Sequence, residues 1–199
     1  MSSGKMRPKL SPQLTVEHAL LGFLQHMPLH GYELHQRIQD AQRLGLVWRV
    51  KQAHVYALLA KLEADGLVQA ELIPQEARPP KRLLQLTAAG HTAFNTWLSA
   101  PVEHGRDVRV EFLAKLFWAQ QAGVGATQKL LAAQRRVTRN LLANIESELP
   151  GAEDAQCYAL LVNEFRRGQL EAMLRWLDTC EATLIQVPVE QNMQARLIG

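Results

Sequence analysis

The stretch Gln52-Ala53-His54-Val55-Tyr56-Ala57-Leu58-Leu59-Ala60-Lys61-Leu62-Glu63-Ala64-Asp65-Gly66-Leu67-Val68 decides the fold. Val55, Leu58, Leu59 and Leu62 recur at i, i+3, i+4 and i+7, the apolar stripe of an amphipathic helix, and Gly66 supplies its stop. The opposite face carries Ala53, Ala57, Ala60 and Ala64, with His54 and Lys61 on one flank and Tyr56 on the other. An ordinary solvated face is studded with Glu and Lys; this one is not. Small residues let a helix backbone approach another surface closely. Alanine methyls can meet thymine methyls while the flanking polar groups reach bases or phosphates. Lys51 and Gln52 extend the polar margin at the helix start.

Working outward, residues 1–14 read as a flexible basic arm, and Thr15 as the cap of a helix over 16–26 with Ala19, Leu20, Phe23 and Leu24 on one face. A second helix is predicted over 32–41, with Leu34 and Ile38 at i, i+4, and a short strand over 46–50. Past Gly66 come a strand over 67–73, a turn over 74–80 and a return strand over 81–86, with a fourth helix starting at Thr87. That order predicts a winged helix-turn-helix domain over 15–100. Arg78, Lys81 and Arg82 then form a basic tip stiffened by Pro79-Pro80, suited to phosphate contact or entry into a minor groove.

The remainder reads as helical. Residues 101–106 are a linker by composition, 107–187 an all-α domain and 188–199 a tail. Helices are predicted over 107–122, 126–149 and 152–185, broken at Gly123/Gly125 and Pro150-Gly151. On the last one, Ala155, Tyr158, Val162, Phe165, Gln169, Ala172 and Trp176 follow a 3-4-3-4 spacing beside a second row of Leu170, Met173, Leu174, Leu177, Cys180 and Leu184. So wide an apolar arc has to be buried on two sides, which predicts a homodimer through Tyr158, Val162, Phe165, Met173, Trp176, Leu177 and Leu184. The fold class is therefore mainly α: an N-terminal winged helix and a C-terminal all-α dimerisation domain with a long terminal helix.

Composition fits a globular chain: 199 residues, 47% hydrophobic and 21% charged. The net charge of +3 is mild, but residues 1–100 hold 11 Lys/Arg against 7 Asp/Glu and residues 101–199 hold 11 against 12. The positive excess sits with the winged helix, pointing to double-stranded DNA as partner. No apolar run approaches the roughly 18 residues of a spanning helix, and the short basic start lacks a leader's apolar core. No membrane partner is expected, and the cytoplasm is the expected compartment. Cys157 and Cys180 read as reduced core residues, with a disulfide or metal pair as the alternative. His26, His30 and His35 are split by a helix break and joined by no carboxylate or cysteine at ligand spacing. Phosphate-loop, HExxH and GxSxG patterns are absent from the sequence, so neither cofactor nor catalytic activity is expected.

Four blocks in order resemble the phenolic-acid-response repressors of the PadR family: His30-Gly31-Tyr32-Glu33-Leu34, then Tyr56 to Val68, then Arg78 to Arg82 leading into Leu86-Thr87-Ala88-Ala89-Gly90, then Asp107 to Ala119 with Lys115-Leu116-Phe117-Trp118. The likeness covers about residues 15–120, and the length beyond is similar to that of the longer-tailed subfamily. It implies a winged-helix dimer that represses by occupying a dyad-symmetric operator, with Tyr32, Tyr56, Lys61, Arg78 and Lys81 at or near DNA. Two departures stand out. Lys51-Gln52-Ala53-His54 replaces a small Ser/Pro/Gly turn, which alters base preference, and Leu84 replaces a common aromatic, which alters wing packing. Some members bind flat hydrophobic compounds through aromatics at the dimer centre. Trp97, Trp118 and Trp176 are the candidates for a small aromatic effector, with Trp48 a fourth tryptophan and core packing the commoner role. The rival functional reading is a winged-helix module that binds proteins and not DNA.

Overall fold

Helix α3 (Gln52–Ala64) buries Val55, Leu58, Leu59 and Leu62, as its period predicts. Its end is a paired-bond cap: the Gly66 N–H donates to the Glu63 carbonyl (3.0 Å) and the Leu67 N–H to the Leu62 carbonyl (2.9 Å). The cap requires a left-handed residue, and Gly66 provides it with φ +71°.

The computed structural model describes residues 12–40, 44–75, 78–147 and 157–185. Around α3 stand helices α1 (Pro12–Phe23), α2 (Gly31–Gln39) and α4 (Ala88–Ser99), with strands β1 (Leu29–His30), β2 (Val68–Gln75) and β3 (Arg78–Leu86). The strands form one antiparallel sheet in the order β1-β3-β2. Helices α5 (Gly105–Asp107), α6 (Leu113–Ala122), α7 (Val124–Ser147) and α8 (Cys157–Ile185) complete a mainly helical chain. The predicted segments over 1–11, 152–156 and 188–199 lie outside the described residues.

One predicted strand is wrong. Residues 46–50 make no ladder: a 3-10 turn spans Leu44–Leu46, and the Val50 carbonyl takes side-chain bonds from His35 and Gln39 of α2. The third strand is instead β1, pairing Leu29 with Leu84 and His30 with Leu83. The turn predicted over 74–80 is also too long, because the ladder runs out to Gln75 opposite Arg78 past an irregularity at Ile73/Gln75. Pro79 and Pro80 thus belong to β3, not to a tip. They are tolerated because they fall at that irregularity, between the Ile73–Lys81 and Gln75–Arg78 pairs, and beyond the two positions, Leu83 and Leu84, at which β1 pairs with β3. Thr15 lies inside α1, which starts at Pro12, a residue whose fixed φ suits a first turn.

The chain forms two compact units. One holds residues up to Leu98 together with Arg109–Trp118; the other holds Ser99–Val108 and residues from Ala119 onward. The core of the first unit includes Leu20, Leu34, Ile38, Leu58, Phe94, Trp97, Ala114 and Trp118. Residues 109–118, grouped by sequence with the C-terminal helices, therefore pack with the winged helix. The helix predicted over 107–122 is interrupted by a π-helical turn at Val108–Phe112. In the second unit the segment read as a linker is fixed at Val102, whose N–H donates to Gln134 Oε1 (2.8 Å) while Gln134 Nε2 donates to the Val102 carbonyl (3.0 Å). Arg135 of α7 binds Asp178 and Glu181 of α8, and Leu177 and Cys180 are buried there.

The wing is tied back at one peptide. The Thr87 N–H donates to the Leu67 carbonyl (3.1 Å), the Thr87 hydroxyl donates to the Gly66 carbonyl (2.7 Å) and accepts the Gly90 N–H (3.1 Å), capping α4. A Cβ on Gly90 would stand 2.1 Å from the Leu67 oxygen, a backbone atom with nowhere to go. Gly90→Ala should therefore lower stability by roughly 2–3 kcal/mol, the scale of an overpacked core, as read from the urea midpoint at constant slope.

Candidate nucleic-acid interface

The side of α3 away from the core is open. Lys51, Gln52, Ala53, His54, Tyr56, Ala57, Ala60, Lys61 and Ala64 are all exposed, so the methyl-lined face and its polar margins reach solvent together. Tyr32, half-exposed at the start of α2, stacks on His30 with ring centres 5.9 Å apart. The Tyr56 ring lies against Gly31, where a Cβ would sit 2.8 Å from its Cε1. Glycine at that position thus seats Tyr56 beside the start of α2. The His30 N–H donates to Glu33 Oε2 (2.7 Å) at the start of α2, and His30 Nδ1 meets the Arg82 carbonyl at 2.8 Å.

The cations differ in their surroundings. Lys51 and Lys81 are exposed, and Arg78 enters the ladder opposite Gln75. Lys61 differs from expectation: its Nζ turns back to both Glu17 oxygens at 2.9 and 3.0 Å, and that carboxylate is only 4% exposed. The Glu17 hydrogen bond holds the Lys61 pKa above the ordinary lysine value, against the lowering effect of burial. Its head group is thereby committed to joining α3 to α1. Arg82 is engaged as well, by a hydrogen-bonded ion pair to Glu63 near the end of α3.

Other predicted residues fall elsewhere. Trp97 and Trp118 are core residues of the N-terminal unit, not an open pocket: Trp97 Nε1 donates to Glu111 (3.1 Å), and Trp118 meets Phe23, Phe94 and Phe117 edge-on. Trp176 is half-buried on α8. Of the predicted dimer residues, Leu177 is fully buried within the chain, because its row faces α7. Val162, Met173, Trp176 and Leu184 are half-buried, while Tyr158 (77%) and Phe165 (66%) stand out in solvent. Leu161, exposed beside them, was missed on sequence because it lies outside both rows, on the far side of the first. Cys180 is buried, and burial pushes its thiol up to about 11, whereas Cys157 is exposed and no core residue. Both thiols are free, and about 34 Å of helix rise between them rules out an intrachain bridge.

Residues 20–96 match the Transcriptional regulator PadR-like family, and residues 108–184 match the Virulence activator alpha C-term family. The chain carries a PadR-like domain over residues 20–96. It is 26% identical over 179 residues to the negative transcriptional regulator PadR of Bacillus subtilis (strain 168), covering 82% of this chain and 97% of that one. A probable transcriptional regulator of Mycobacterium tuberculosis, Rv1176c, is 26% identical over 96 residues, 48% of this chain and 50% of that one. Among solved structures, Bacillus subtilis PadR in complex with operator DNA aligns with 87% of this chain and 99% of its own, at 21% identity and a TM-score of 0.44. The same protein with p-coumaric acid aligns with 88% and 98%, at 19% identity and a TM-score of 0.40.

One constellation escaped the sequence reading. Glu111 and Lys115 form a buried ion pair at 2.8 Å; Lys115 also lies 5.3 Å from the Trp97 ring centre, and Trp97 stacks on His18. Burial, outweighing the Glu111 bond, lowers the Lys115 pKa below the ordinary value. The available signal was a Glu/Lys pair at i, i+4 inside the otherwise apolar run Val110-Glu111-Phe112-Leu113-Ala114-Lys115-Leu116-Phe117-Trp118. Lys115→Met should cost about 3–5 kcal/mol by stranding a buried carboxylate, and Glu111→Leu with Lys115→Met should recover most of it. Urea unfolding of the two variants measures the difference.

Proposed function

We propose that the chain is a sequence-specific repressor that binds a dyad-symmetric operator as a homodimer, each copy laying α3 in the major groove. The observation that carries this is the exposed face Ala53, Ala57 and Ala60, flanked by Gln52, His54 and Tyr56, on a helix whose other side is core. Methyl groups at the centre suit an A/T-containing half-site read partly through thymine methyls, with the flanking groups reaching base edges. Lys51, Arg78 and Lys81 supply phosphate contacts, and Tyr32 sits at the margin. The similar Bacillus subtilis protein is a negative transcriptional regulator, which supports repression as the outcome.

Residues 15–100 form the DNA-binding module in this reading, and 107–187 the dimerisation region, with the alignment of the two winged helices about 34 Å apart. The exposed row Tyr158, Leu161 and Phe165 supports α8 as the dimer face, beside an open groove lined by Ile145, Leu160 and Leu161. An apolar row left in water favours a second copy. A small aromatic effector is proposed to act at Trp176, since Trp97 and Trp118 are occupied in the core. The chain acts without catalysis or cofactor, in the cytoplasm; among the described residues no helix is long and apolar enough to cross a membrane.

Two measurements test this reading. Ala57→Glu, shown to be folded by circular dichroism, should lose operator affinity at least ~100-fold, because it places a carboxylate against the groove while sparing the core face. Wild-type affinity in that variant removes α3 from the groove. Phe165→Asp should shift sedimentation from dimer to monomer at micromolar concentration, and an unchanged dimer places the interface elsewhere.

A further inference from the structure

We propose that Glu63 sets the affinity of the chain for DNA, by holding Arg82 as an internal counter-charge where a backbone phosphate would otherwise bind. The inference rests on the DNA-binding reading above. Arg82 is fixed at both ends. Its carbonyl meets His30 Nδ1 at 2.8 Å, and its Nη2 donates to Glu63 Oε2 across the gap between β3 and the last turn of α3. In the ladder it stands opposite Leu72, while Lys81 stands opposite Ile73, so the two cations project from opposite faces of the wing and Glu63 engages Arg82.

The ion pairs Glu17–Lys61 and Glu63–Arg82 differ in kind. Glu17 is buried, so Lys61 must stay with it to keep a carboxylate out of an unpaired site. Glu63 and Arg82 are both open to solvent, at 34% and 56% exposure, and no such constraint binds them. An exposed pair adds little to stability. As a strut it is weak. Its electrostatic consequence is larger: a guanidinium neutralised by the protein's own carboxylate releases no counterion from DNA, whereas a free one adds about 0.9 to the salt slope. Glu63 also borders Ala60 and Ala64 on the exposed side of α3, so its charge opposes the approach of any phosphate to Arg82.

The test is fluorescence anisotropy of the full chain with a random-sequence duplex of about 30 base pairs, over about 50–200 mM KCl. Glu63→Gln should bind ~3–10-fold tighter at the lowest salt, with a slope steeper by about 0.9. Adding Arg82→Ala should return the slope to the wild-type value, which assigns the gain to Arg82. Binding by Glu63→Gln that is unchanged or weaker, with an unchanged melting curve, overturns the proposal and makes the pair a strut. A gain that survives in the double variant overturns it too. A wild-type chain that binds no duplex overturns the DNA reading along with this one, whereas a binding wild type with an unimproved Glu63→Gln overturns this one alone.

Discussion

Four elements meet at the peptide of Leu67. Its N–H closes α3 onto the Leu62 carbonyl, and its carbonyl receives the Thr87 N–H at the point where β3 ends and α4 begins. Gly66 supplies the turn and Gly90 the clearance, so α3, β2, β3 and α4 are tied at one point by main-chain geometry more than by side-chain packing. Because the helix ends on this knot and β2 starts one residue later, the angle between α3 and the wing is set there. A methyl-lined face works as an interface only if that angle is held, since it has no long side chains with which to accommodate an error.

This arrangement explains why α3 and the wing were legible and other parts were not. The stripe Val55, Leu58, Leu59, Leu62 and the stop at Gly66 act over short range, and a helix period with a glycine stop has one reading. The segment over 46–50 is apolar and looked like a strand, but a strand exists only with a neighbour. The place beside β3 is taken by Leu29 and His30, a pair too short to show any period. Pro79 and Pro80 looked like turn residues because proline is rare in ladders; they are admitted here by the irregularity between Ile73 and Gln75. Leu177 was assigned to a partner because the width of an apolar arc does not say which part of it the chain's own α7 covers.

Charge shows the same division. Counting Lys and Arg in residues 1–100 correctly locates the cationic half, but counting assigns every cation outward. Lys61 is turned in to a buried carboxylate and Arg82 is held by Glu63, so the cations on α3 and the wing are fewer in effect than in number. Glu17 lies 44 positions from Lys61 and Glu63 lies 19 from Arg82, separations at which no local pattern announces a pair. The Glu111–Lys115 pair is local, yet nothing in its spacing distinguishes a solvated pair from one sealed under Trp97.

The composition of α3 bears finally on why α8 should remain open. In the proposed reading, a recognition face centred on Ala53, Ala57 and Ala60 would offer few hydrogen bonds, each worth about 1–3 kcal/mol at best, so a single copy reading one half-site would discriminate weakly. Joining two such faces makes the second engagement intramolecular, and the gain comes from effective concentration without any new contact to DNA. That gain exists only if the joint is stable at the concentrations of a regulator, which a large apolar row provides and a polar one does not. In the proposed dimer, the exposed Tyr158, Leu161 and Phe165 would be the counterpart of the small residues on α3: the less each α3 can hold by itself, the more the second copy has to contribute.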